Sequence, residues 1–283
     1  MKPRLFIFGL GYSARVVAGA FAARGWDVVS TGREGTLRFD DAGGVRMALA
    51  DAACVLSSVP PDGAGGDPVL DSYGAALSGK WLGYLSSTGV YGDCAGAWVD
   101  ESAPTGGGRR PARADCDGEW LARGGRVFRL PGIYGPGRSA FDRLAAGSAR
   151  RIDRPDQVFS RIHVADVASA VWLAVDGNAP AGAYNLADDL PAHPNAVIEE
   201  ACRLANLPLP PLVAPGDPSV PEAARAFYES SRRVASGKAR RLLGWAPRWA
   251  TYREGLCALL PVSAISSPAS ASPAPAAASA DQR

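Results

Sequence analysis

The stretch "RLFIFGLGYSARVVAGAFAARGWDVVSTGR", residues 4–33, restricts the fold more than any other part of the chain. A short apolar run (4–10) ends in glycines, apolar residues then recur at helical spacing as far as Gly25, and a second apolar run covers 26–33. Short apolar runs bounded by glycine read as buried strands, and the period between them reads as a helix. Two parallel strands joined through a helix form a βαβ unit, which needs covering on both faces. Further candidate strands at 45–50 ("VRMALA"), 54–60 ("CVLSSVP"), 81–87 ("WLGYLSS") and 126–132 ("RVFRLPG") extend the unit to a doubly wound α/β parallel sheet.

Beyond residue 187 the pattern changes to proline-punctuated helical stretches, "PNAVIEEACRLANL" and "RRVASGKARRLLGW". The expected organisation is a dinucleotide-binding domain over 1–187, with 136–160 facing a substrate cleft, and a smaller C-terminal substrate domain over 188–260. Residues 261–283 are so rich in Ala, Ser and Pro that they cannot bury a core and read as a disordered tail.

With 30 basic and 28 acidic side chains the net charge is only +2. Neither nucleic acid nor an anionic membrane is expected as the main partner, which leaves small molecules. The five cysteines lack C-x-x-C spacing, and with two histidines in the chain a tetrahedral zinc site is hard to assemble, so no metal is expected. Their odd number fits a reducing compartment. Gly9, Gly11 and Arg15 interrupt the apolar N-terminal segment, which argues against a secretory signal and for a cytoplasmic location. No run approaches the roughly 18 apolar residues that span a bilayer.

The turn after the first strand, Gly9-Leu10-Gly11-Tyr12-Ser13-Ala14, is a G-x-G-x-x-A fingerprint opening a helix. Gly9 permits the turn, Gly11 lets the backbone approach a pyrophosphate, and Ala14 keeps helix and strand close. The second strand ends Ser30-Thr31-Gly32-Arg33 where an NAD-selective site places an acid. Arg33 can pair with a 2′-phosphate, favouring NADP over NAD; the alternative is that Glu34 supplies the acid. Ser57, Ser58 and Pro60 should line the cofactor path from the end of the fourth strand, since ligands lie outside the carboxyl ends of such strands.

Together with "LSSTGVYGD" (85–93), "FRLPGIYGPGR" (128–138), "SRIHVADVASAVWLA" (160–174), "AYNLADD" (183–189) and "LLGWAPRWATYREGL" (242–256), the fingerprint resembles the extended short-chain dehydrogenase/reductase superfamily. Within it the likeness is to the NAD(P)-dependent epimerase/dehydratase family and to a bacterial branch often labelled YeeZ-like. The resemblance implies a Rossmann domain holding NAD(P), a small C-terminal domain holding substrate, and catalysis by Ser or Thr, Tyr and Lys between them. Ser87, four residues before Tyr91, matches the family's catalytic Ser/Thr at the end of the fifth strand. Members often dimerise through helices beside this region, and a homodimer is the assembly the resemblance implies.

The Tyr-x-x-x-Lys pair is missing. At its distance stands "RRPARADCDGEW" (109–120), no tyrosine lies between Tyr91 and Tyr134, and no lysine between Lys80 and Lys238. The lysine would lower the tyrosine pKa so that the phenol exchanges a proton with substrate, a contribution of roughly 10² to 10⁴ in rate. Tyr91, one turn past Ser87, is the candidate replacement, against a packing role; Arg110 or Arg113 could stand in for the lysine, and His163 is a further proton carrier unless it only holds a strand-to-helix junction. Arg138, Arg161 and Arg233 suit a phosphate or carboxylate on the substrate, with Thr88 and Tyr134 beside them. The expected function is an NADP-dependent oxidoreductase or epimerase-like enzyme for a small carbonyl, alcohol or sugar-derived substrate. Its rivals are a non-catalytic NADP-binding sensor and a lyase or isomerase using the same cleft.

Overall fold

The structure is a computed structural model that describes residues 2–108, 111–220, 228 and 230–260. The 261–283 tail and Arg110 lie outside the described residues. In chain order the strands are β1 (Arg4–Phe8), β2 (Asp27–Ser30), β3 (Cys54–Ser57), β4 (Trp81–Ser87), β5 (Trp98–Val99), β6 (Arg126–Leu130), β7 (Gly132–Tyr134), β8 (Arg151–Ile152), β9 (Arg161–His163), β10 (Gly182–Asn185), β11 (Leu212–Val213) and β12 (Arg233–Val234). Six of them form one parallel sheet in the order β2-β1-β3-β4-β6-β10. The chain leaves β1 to one side and returns to its other side, so the strand order reverses between β1 and β3. That crevice is where such sheets bind ligands.

Alternation along β1 divides the core. Leu5 and Ile7 join Ala14, Val17 and Phe21 of helix α1 (Tyr12–Ala22) and Val167 and Val171 further on, while Phe6 and Phe8 join Val45, Leu49, Tyr73 and Trp120 on the opposite face. Helices α2 (Ala42–Ala50), α3 (Pro68–Tyr73) and α4 (Pro111–Ala122) cover that second face, and α5 (Ala140–Ala145), α6 (Val164–Asp176) and α7 (Pro194–Ala205) follow. A separate cluster of Tyr134, Phe141, Val197, Ala201, Tyr252 and Leu256 joins the C-terminal segment to β7 and α5.

One strand expectation fails. Residues 45–50 lie in α2, whose N-cap Asp41 accepts from the Gly44 N–H at 3.0 Å. Val45 and Leu49 are buried one turn apart while Met47 is 71% exposed, a helical and not an alternating pattern. Ser57 and Ser87 therefore end the third and fourth strands of the chain, not the fourth and fifth.

Candidate active site

The loops after β1, β2 and β3 are tied together at the strand-order reversal. Gly9 has φ +80°, and a Cβ there would lie 3.0 Å from Val59 Cγ2, so both conformation and space call for glycine. Its N–H donates to Thr31 Oγ1 at 3.2 Å, and Ser58 Oγ donates to its carbonyl. Gly11 differs: its φ is −80° and a Cβ would meet nothing within 4 Å. No contact of the protein itself requires glycine there. The open space lies at the start of α1, where no side chain caps the helix and the first turn holds no acid. Unpaired N–H groups and the helix dipole make that end favourable for an anion, and the buried Ala14 seats the helix on the sheet. These residues fit a dinucleotide, with the pyrophosphate at Gly11 and the α1 terminus.

The other expected cofactor residues are placed as follows. Tyr12 donates to the Pro136 carbonyl at 3.1 Å, with the Arg138 guanidinium 5.5 Å over its ring; Ser13 is half-buried in the first turn. Ser57 is fully buried and accepts from the Val59 N–H at 3.4 Å, so its hydroxyl faces the loop backbone, whereas Ser58 is half-buried and Pro60 exposed. Arg33 is exposed, and the neighbouring Glu34 pairs with Arg15 of α1. The one acid near the β2 end is thus already engaged by a cation.

Ser87 closes β4 opposite Leu130 in the register with β6, and neither it nor the expected substrate residue Thr88 is part of the lining of the cleft beyond β6. It is half-buried and its Oγ accepts from the Gly89 N–H at 3.1 Å, leaving the hydroxyl proton available to a substrate oxygen. Thr88 is buried. Tyr91 points into the protein. Its hydroxyl accepts from Arg129 Nη1 at 3.0 Å and donates to Asn185 Oδ1 at 2.8 Å. Arg129 in turn binds Asp117 through Nη2 at 2.7 Å and Nε at 3.1 Å, and Ser86 donates to the same carboxylate at 2.7 Å. Asn185 is held from behind, its N–H donating to Glu101 Oε1 at 2.7 Å. Burial pushes the Tyr91 phenol up, and the opposing effect of Arg129 does not reverse it. The geometry therefore makes Tyr91 part of a buried polar network, not an accessible proton donor. Arg113 does reach a tyrosine, but it is Tyr84, 2.8 Å away and stacked on Trp120, and burial raises that phenol as well.

A cleft of about 570 Å³ opens past the carboxyl end of β6. Tyr134, Arg138 and Arg161 line it, and so does Arg143, which the sequence reading omitted. Arg233 does not: its guanidinium donates to the Gly96 carbonyl and clamps β12 to β5. Burial pushes the Arg161 guanidinium down to about 10, with the Arg143 charge acting in the same direction and Asp188 against it. Asp188, also missed, is buried behind Arg161, and desolvation pushes its carboxyl up to about 7. His163 caps α6, its Nδ1 accepting from the Ala165 N–H at 3.2 Å, so the neutral ring carries its proton on Nε2. Burial and the Arg248 charge lower it to about 4. The imidazole is held at the strand-to-helix junction between Tyr134 and Trp249, neutral at ordinary pH.

Parallel strands around a strand-order reversal, an open glycine turn under an uncapped helix, and an adjoining cleft define a Rossmann-type protein of the extended short-chain dehydrogenase/reductase fold. The chain is 38% identical to a functionally unknown conserved protein from Silicibacter pomeroyi, with a TM-score of 0.80 over 91% of this chain and 98% of that one, and it belongs to the same family. The fold is shared with a dTDP-glucose 4,6-dehydratase from Bacillus anthracis in complex with NAD (15% identity, TM-score 0.71, 90% and 94% of the chains). It is shared too with a human epimerase family protein with NADPH (16%, TM-score 0.72, 89% and 97%). No family model matches the chain, and no curated protein matches it. Among the described residues no helix is long and apolar enough to cross a membrane, and no group of three or more His, Cys, Asp or Glu could hold a metal.

Proposed function

We propose that this protein binds NADP at the Gly9–Ala14 turn and acts as an oxidoreductase or epimerase-like enzyme on a small carbonyl or alcohol held in the Arg-lined cleft. The observation that carries the reading is Gly11: a glycine with ordinary φ and empty space around its Cβ position, at an uncapped helix start. Solved structures with this fold hold NAD or NADPH, which supports the cofactor class. Arg33, exposed beside the Arg15–Glu34 pair, supports the phosphorylated form.

Bound NADP would supply hydride exchange. The chain's own part is to seat the pyrophosphate on α1 and to orient the substrate oxygen with Ser87. Solvent in the cleft is the proton source, because the Tyr91 hydroxyl is enclosed by Arg129 and Asn185. That enclosure also supports a second reading, a protein that binds NADP without turnover. Calorimetric titration with NADP, NADPH, NAD and NADH, repeated on Arg33→Ala, tests the cofactor. Preference for the phosphorylated pair, weakened about tenfold or more in the variant, is expected from loss of a charge-assisted contact. Absence of binding by all four would end the proposal. Turnover with Ser87→Ala as control then separates enzyme from sensor.

A further inference from the structure

Three arginines of the cleft have no ion-pair partner among the described residues. Arg138 stacks over Tyr12, Arg143 makes no side-chain hydrogen bond there, and Arg161 donates only from Nη1, to the Phe159 and Ala192 carbonyls at 3.0 Å each. Nε and Nη2 of Arg161 have no hydrogen-bond partner among the described residues, although the guanidinium sits against the buried Tyr252 ring. The one acid lining the cleft among the described residues, Asp142, is engaged in the capping box of α5, accepting from Ser139 N and Oγ at 2.6 Å. Arg138 and Arg143 are exposed and Arg161 is half-buried, so the desolvation cost falls on Arg161, while like charges facing one space repel unless an anion joins them.

The remaining lining decides what that anion carries. Ile133, Phe159, Val197, Tyr228, Tyr252 and Leu256 form the walls, while no Asn, Gln, Glu, Lys or His lines the cleft among the described residues. A polyhydroxylated ring needs several donors and acceptors around it, since each buried hydroxyl left unpaired costs free energy. Among the described residues, apart from the arginines and the committed Asp142, the only polar side chains in the lining are those of three serines and the tyrosines. The Tyr134 hydroxyl adds nothing to them: it is buried against Gly255 and has no partner among the described residues.

We infer that the cleft takes an amphipathic anion, an apolar aryl or alkyl body carrying one carboxylate or phosphate head, and not a sugar. The head meets Arg138, Arg143 and Arg161; the body lies on Phe159, Tyr252 and Leu256. This rests on the reading of the cleft as the substrate site of a dinucleotide-binding protein.

The test is calorimetry on the full chain, with and without NADP, using a graded series of aryl- and alkyl-carboxylates, matched phosphate monoesters, the corresponding neutral amides, and gluconate. The acids or phosphates should bind, the tighter of the two identifying the head, with the amides weaker by about ten- to a hundredfold, as for loss of a charge-assisted contact. Arg143→Gln should lower acid affinity about tenfold or more, and Ala146→Trp, filling the cleft from an exposed lining position, should abolish it without changing NADP affinity. Amides binding as well as acids, gluconate binding more tightly than the apolar acids, no binding by any acid or phosphate, or acid binding that survives Ala146→Trp would each overturn the inference. NADP binding with no acid binding defeats this inference alone, whereas acid binding with no nucleotide binding defeats the cofactor proposal and leaves this one standing.

Discussion

Replacing Tyr91 by Phe removes one oxygen and separates a structural tyrosine from a catalytic one. Asn185 Oδ1 then loses its 2.8 Å donor in a fully buried position, and Arg129 Nη1 loses its 3.0 Å acceptor. A buried group left unpaired costs about 1–3 kcal/mol. Arg129 keeps both bonds to Asp117, so its share lies toward the lower end. The sum is about 2–4 kcal/mol, or a fall in Tm of roughly 4–8 °C for a chain of this size. Urea unfolding followed by circular dichroism, run beside differential scanning calorimetry, measures it. Asp117→Ala is the upper reference, because stranding the Arg129 charge costs about 3–5 kcal/mol. Ser87→Ala, altering a half-buried hydroxyl with one backbone contact, should change stability by less than about 1 kcal/mol. A Tyr91→Phe protein as stable as the parent but unable to turn over a substrate would refute the reasoning, since it would put the phenol at the reacting atoms.

The two glycines of the fingerprint should respond oppositely. Gly9→Ala forces a side chain to φ +80° against Val59 and should destabilise the fold by about 1 kcal/mol or more, whereas Gly11→Val should leave the melting temperature unchanged and abolish dinucleotide binding. A Gly11→Val protein that still binds NADP would remove the reason for placing the pyrophosphate there. Asp188 makes stability depend on pH with a definite sign. Its carboxyl titrates at about 7 when folded, against about 3.9 unfolded, so between those values the folded chain holds a proton that the unfolded chain has released. The neutral form's contribution is complete below about pH 4 and is lost as pH rises through 7. Arg161 on β9, Tyr134 on β7, Asp166 on α6 and the adjacent Asp189 act on this carboxyl, and all remain in Asp188→Asn. That variant should flatten the decline in Tm across about pH 4 to 7; parallel profiles would assign the slope to another group.

How far the sequence could carry these conclusions follows from the range of each interaction. The glycine turn is legible because every requirement is local: a strand, a positive-φ residue, an open residue and a helix start fall within eleven positions. The error at 45–50 has a local cause too. Val45, Met47 and Leu49 satisfy a period of two as well as Val45 and Leu49 satisfy one helical turn, and only Asp41, capping from four residues upstream of Val45, tips the balance. Tyr91 is different. Its fate depends on Asp117, Arg129 and Asn185, whose bonds to one another and to Tyr91 span between 12 and 94 residues of sequence. Nothing in the spacing of "SSTGVYG" distinguishes a phenol facing the cleft from one facing a guanidinium. One signal does lie in the sequence: Arg129 stands in the strand "RVFRL", and a charged residue in a buried parallel strand must find a carboxylate. The acid that reaches the middle of the sheet is Asp117, and the arginine it holds also holds Tyr91. The arginines of the cleft show the same limit from the other side. Arg138, Arg161 and Arg233 are equal in sequence, yet Arg138 and Arg161 line the cleft while Arg233 is clamped to Gly96. A cation's meaning is decided by whether the fold leaves it a counter-charge, and among the described residues Arg138, Arg143 and Arg161 have none.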